Sequence, residues 1–70
     1  MSIKAFKERS YQNYRSRVIR EAMDLLSPAH SEKDILRYLT SDEAEETMRD
    51  EYKNGRDVGG AAYCLYMMYE

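Results

Sequence analysis

The sequence predicts an all-α protein, a small compact bundle of three to four helices forming a single helical domain over residues 1–70. Three observations predict it. Apolar side chains recur at spacings of 3 and 4, and nowhere alternate as they would along strands. Pro28 and Asn54-Gly55 punctuate the chain where a helix would have to stop. The run from Val58 to Tyr69 carries no charge, although 34% of the residues are charged.

Ser2 to Leu26 reads as one long helix, with a fray or break before Ser10 as the alternative. Tyr11, Tyr14, Val18, Ala22 and Leu25 form its apolar stripe, with Leu26 alongside and Phe6 off the stripe. The opposite face holds Arg9, Asn13, Arg17, Arg20 and Asp24. No Gly or Pro interrupts the segment, and Pro28 ends it by pushing the preceding residue out of the helical region.

Ser31 is a candidate cap for a second, short helix, with Glu32 and Asp34 in its first turn and Ile35, Leu36 and Leu39 on its buried side. Thr40 with Glu43 fits a capping box that starts a third helix running to Asn54. A single kinked helix over both segments is the competing expectation. The third segment has a thin apolar stripe, Ala44, Met48 and Tyr52, and six acids: Asp42, Glu43, Glu45, Glu46, Asp50 and Glu51.

Asp57 can cap the last helix. Val58, Ala61, Leu65 and Met68 share one face of it, with Ala62 and Tyr69 beside them, while Tyr63, Tyr66 and Met67 lie on the other side. A helix apolar all round is either a central core helix or one that docks on something else. Gly59 and Gly60 cost about 1 kcal/mol each inside a helix, so they mark a ragged start or a close crossing.

A chain this short buries only about 60% of the surface it exposes when unfolded. Cys64 is the only cysteine, so no disulfide can form within the chain, and one Cys with one His does not make a structural zinc site. Oligomerisation, as a homodimer for instance, or binding to a larger partner is the remaining route to added stability. A single cysteine and an N-terminus without an apolar run predict a cytoplasmic protein, and nothing is long enough to span a membrane.

The net charge of −2 conceals a basic front and an acidic middle: residues 1–30 carry six Lys or Arg against three acids, and residues 31–57 five against nine.

Catalytic equipment is not apparent. His30, the only histidine, reads as an exposed loop residue, and Cys64, in apolar company, as an inert buried thiol. The acids lack the spacing of a calcium loop, and Gly59-Gly60 lacks the surroundings of a phosphate loop. The expectation is no enzyme activity, no cofactor and no metal.

Three functional readings follow. The first is a protein-binding inhibitor or adaptor that occupies a surface of a larger complex through the six acids and the Tyr63/Tyr66/Met67 face. Tyrosine and methionine are enriched at protein interfaces, and closely spaced carboxylates can imitate a phosphate backbone and fill a nucleic-acid channel. By analogy of type alone, bacteriophage and mobile-element anti-defence inhibitors, anti-CRISPR proteins among them, are small proteins of this kind.

The second reading is a DNA-binding regulator. The segment from Asp34 onward has the rhythm of a helix-turn-helix, and Arg9, Arg17 and Arg20 would hold phosphates. The acids of the reading helix oppose it. The third is a homo-oligomeric assembly component pairing through the last helix. For both charged faces the plain alternative is solvation, and for the tyrosine face it is burial under the first helix.

Overall fold

The computed structural model describes the backbone of residues 3–69 and the side chains of residues 10–69. It contains four helices and, among the described residues, no strand: α1 (Ile3–Leu26), α2 (Glu32–Leu39), α3 (Asp42–Lys53) and α4 (Val58–Met68). The expectation of a small all-α bundle is met. Phe6 and Arg9 lie outside the described side chains. None of the described helices is long and apolar enough to cross a membrane.

The boundaries follow local chemistry. α1 ends as Ser27 N–H donates to Met23 O and the chain turns at Pro28. Ser31, in an extended conformation, accepts from Asp34 N–H and caps α2. α2 and α3 are separate helices, not one kinked helix. Thr40 closes α2, its hydroxyl donating to Leu36 O at 2.7 Å.

The cap of α3 is Ser41 rather than Thr40: its Oγ accepts from Ala44 N–H and donates to Tyr38 O at 2.6 Å. The cap that closes α2 and the cap that starts α3 are thus adjacent residues. The capping box expected between Thr40 and Glu43 does not form, because the chain turns one residue later.

α3 ends in a Schellman motif. Arg56 N–H donates to Glu51 O, Gly55 N–H donates to Tyr52 O, and Gly55 takes φ +75°. Asp57 then caps α4 by accepting from Gly60 N–H at 2.7 Å.

The core is small and rich in alanine. Val18, Ala22 and Leu26 of α1 meet Ile35 and Leu39 of α2, Ala44 and Met48 of α3, and Ala61, Ala62 and Leu65 of α4. The broadest contact is α1 against α4. Ala22, Ala61 and Ala62 are fully buried, and side chains this small let helix axes approach closely.

Two expected core residues lie outside: Leu25 and Leu36 are exposed. On α1 the inward direction is centred between Val18, Ala22 and Leu26, which turns Leu25 about 100° away from Leu26. On α2 only Ile35 and Leu39, four apart, fit beneath the bundle. Met68, on the same helical face as Ala61 and Leu65, is exposed.

The two glycines at the start of α4 do different things. The Glu21 carboxylate would lie 3.7 Å from a Cβ on Gly59, an ordinary contact. A Cβ on Gly60 would lie 2.8 Å from Arg56 Cδ and 2.9 Å from Asp57 Oδ1, the capping oxygen. The close approach is therefore with the preceding turn, not with another helix.

Three substitutions test these boundaries by thermal denaturation. Gly55→Ala should cost about 1 kcal/mol, the penalty of a Cβ in the left-handed region. Gly60→Ala should destabilise by about 1 kcal/mol, through displacement of the cap. Gly59→Ala should stabilise by about 0.5 kcal/mol.

Candidate functional site

The protein has seven tyrosines, no tryptophan and one phenylalanine. Five of the tyrosines are used inside the fold. Tyr11 and Tyr14 of α1 pack their rings on Tyr52 of α3, with centroids 5.3 and 5.1 Å away. Tyr14 Oη donates to Arg56 O at 2.8 Å, tying α1 to the α3–α4 turn. Tyr38 Oη donates to Leu65 O at 2.7 Å, tying α2 to α4. Its ring meets Tyr69 edge-on at 4.8 Å, and Tyr69 meets His30 at 4.4 Å. His30, expected to be an exposed loop residue, is half-buried because Tyr69 packs against it. Cys64, expected to be buried, is half-buried at the edge of α4.

The six acids of α3 divide into two groups. Glu45 faces α1, where its Oε2 accepts from Arg15 Nε at 2.7 Å, and its other oxygen lies 3.6 Å from Arg49. Arg49 in turn sits 4.6 Å above the Tyr11 ring, a cation–π contact. Glu51 is held by Arg56 Nε at 2.7 Å. These two carboxylates are paired within the fold. Asp42, Glu43, Glu46 and Asp50 are exposed and form no ion pair among the described residues. On a helix they occupy one continuous arc of about 100°.

The Tyr63/Tyr66/Met67 face is outside, not covered by α1. Met67 is 60% exposed, Tyr63 55%, and Tyr66 and Met68 each 39%. Ala61, Ala62 and Leu65 point the opposite way into the core. The Tyr63 and Tyr66 rings lie 6.0 Å apart. On the α1 side, Glu21, Asp24, Leu25, Gly59 and Tyr63 line an open cleft of about 350 Å³. On the α3 side, Thr47 Oγ1 lies 3.7 Å from Met68 Sδ. Glu43 and Asp50 are four and three residues from Thr47, so they share its side of α3. The acidic arc and the apolar face therefore adjoin.

The basic residues do not gather. Arg17 and Arg20 are exposed on α1, and Arg17 lines a separate groove with Tyr14, Tyr52 and Val58. Arg15, passed over as a site residue, is spent on Glu45. Among the described residues no group of three or more His, Cys, Asp or Glu is placed to hold a metal ion. Neither family models, nor curated proteins, nor solved structures match this chain.

Burial is the main cause that raises the Tyr11, Tyr14 and Tyr38 phenols above their usual range. Neighbouring carboxylates add to it: Glu45 at Tyr11, Glu51 and Asp57 at Tyr14, Glu43 at Tyr38. A phenol whose pKa is raised by folding favours the folded state while it is neutral. Above pH about 10 the unfolded chain ionises first, so stability is full below that pH and falls above it. Denaturation followed between pH 8 and 11.5 should show this loss, and Tyr38→Phe should make the decline shallower.

Proposed function

We propose that the protein is a non-enzymatic binding module, an inhibitor or adaptor. In this reading it seats on a larger protein through the outer face of α4 and the adjoining acids of α3. The observation that carries this reading is the exposure of Tyr63, Tyr66, Met67 and Met68 on one helix. In a chain of mean hydropathy −0.83, these four large side chains lie exposed outside the core. Contiguous exposed apolar surface marks interaction sites, and aromatic side chains supply most of the binding energy at such sites.

The free carboxylates Asp42, Glu43, Glu46 and Asp50 suit a partner that presents lysine or arginine. A nucleic-acid-binding machine is one such partner, and an anti-defence inhibitor of the anti-CRISPR kind is one role that fits. The cytoplasm is the compartment this reading implies.

The DNA-binding alternative would place α3 in the groove as the reading helix. The exposed arc of α3 carries four unpaired acids, which repel phosphate, and Arg17 and Arg20 lie on a different helix. The observations favour a protein partner over nucleic acid.

The test is retention of a partner by tagged protein after nuclease treatment. Glu43→Lys/Glu46→Lys/Asp50→Lys should weaken retention at least about tenfold, as loss of complementary charge does, with unchanged helicity. Tyr63→Ser/Met67→Ser should abolish it. Full retention by both variants would contradict the reading. Retention of nuclease-sensitive material alone would turn it toward the arginines of α1.

A further inference from the structure

The exposed face of α4 has a charge frame, and the frame specifies what can lie on it. No residue from Val58 to Tyr69 is charged. Both borders of the face are acidic. On the α1 border Glu21 and Asp24 stand beside Leu25 and Tyr63 in the open cleft, and neither forms an ion pair among the described residues. On the α3 border Glu43 and Asp50 flank Thr47, whose hydroxyl touches Met68. Arg17 and Arg20 lie one turn before Glu21 and Asp24 on α1, yet neither forms an ion pair with them among the described residues, and Arg17 lines the groove of Tyr14, Tyr52 and Val58.

We propose that this face seats a basic amphipathic protein segment. Its apolar stripe lies on Tyr63, Tyr66 and Met67, and lysine or arginine side chains reach both acidic borders, one of them into the cleft of Glu21, Asp24 and Tyr63. The proposal rests on the binding-module reading and adds the partner's chemistry to it.

The cleft fits a long cationic side chain in both its parts. Leu25 and the Tyr63 ring take the methylene stem, and the two carboxylates take the charged head, with the ring adding a cation–π contribution. The same borders turn away nucleic acid and anionic lipid, which carry the opposite sign to the one required. A second copy of this chain would meet the face with a surface framed by acids rather than by cations.

The experiment uses the full chain and three synthetic helical peptides of about five turns, followed by titration and methyl and aromatic NMR at about 50 mM salt. One peptide carries a leucine stripe with lysine flanks, one the same stripe with glutamate flanks, and one lysine with serine in place of leucine. The leucine–lysine peptide should shift the Met67, Tyr63 and Tyr66 signals and bind at least about tenfold more tightly than either other peptide. Glu21→Gln/Asp24→Asn should weaken it about fivefold, and Glu32→Gln/Asp34→Asn on α2 should leave it unchanged.

Equal or tighter binding of the glutamate peptide at the same signals would overturn the stated chemistry while leaving a docking face. Absence of any shift at those signals would overturn the docking face as well. Broadening of the same signals with protein concentration alone would assign the face to a second copy, and would also overturn the proposal.

Discussion

The structure depends on the alanine-lined seam between α1 and α4. α4 carries no charge on any side, so polarity does not decide which side turns inward. Size decides. Ala61, Ala62 and Leu65 share the buried cluster with Val18 and Ala22 of α1, the helix α4 meets most broadly. A Tyr or Met at either alanine position would force the helices apart, at a cost of about 1–3 kcal/mol. The small residues therefore face in, and Tyr63, Tyr66 and Met67, on the opposite arc, must face out. The candidate binding surface is the geometric complement of the seam.

A core built on alanine is thin, and tyrosine makes up part of the difference. Tyr11 is buried and Tyr14, Tyr38, Tyr52 and Tyr69 are partly enclosed, and each links helices that are distant in sequence or packs on a ring that does. An amphipathic ring suits this position: the body packs while the hydroxyl reaches a backbone carbonyl, as at Arg56 O and Leu65 O. The Arg15–Glu45–Arg49 chain, ending over the Tyr11 ring, does the same on the far side of α3. These polar links fix α3, whose own apolar contribution is little more than Ala44 and Met48.

Much of the fold was legible in the sequence because caps and stops are local. Ser31, Asp57, Pro28 and Asn54-Gly55 act through backbone groups within a few residues, and they bound the helices where expected. Thr40 against Ser41 was harder, since both side chains can cap and only the turn after Leu39 decides between them. Leu25 and Leu36 were misread for a different reason. Helical spacing gives a stripe, but its centre depends on which neighbour lies beneath it, and that is a tertiary fact.

The acids show the same limit: Glu45 and Glu51 are indistinguishable in sequence from Glu43 and Glu46, yet Arg15 and Arg56 come to them from other parts of the chain. The outward direction of Tyr63, Tyr66 and Met67 was present as a helical face, and its exposure needed the position of α1.

The central claim is that α4 turns its alanines in and leaves its large side chains open. The most direct test is carbon-13 methyl NMR of the methionines in the free protein, with a soluble paramagnetic agent. The account predicts strong broadening of Met67, weaker broadening of Met68 and none of Met48, which is fully buried. A Met67 methyl as protected as that of Met48, in a dilute monomer, would contradict it.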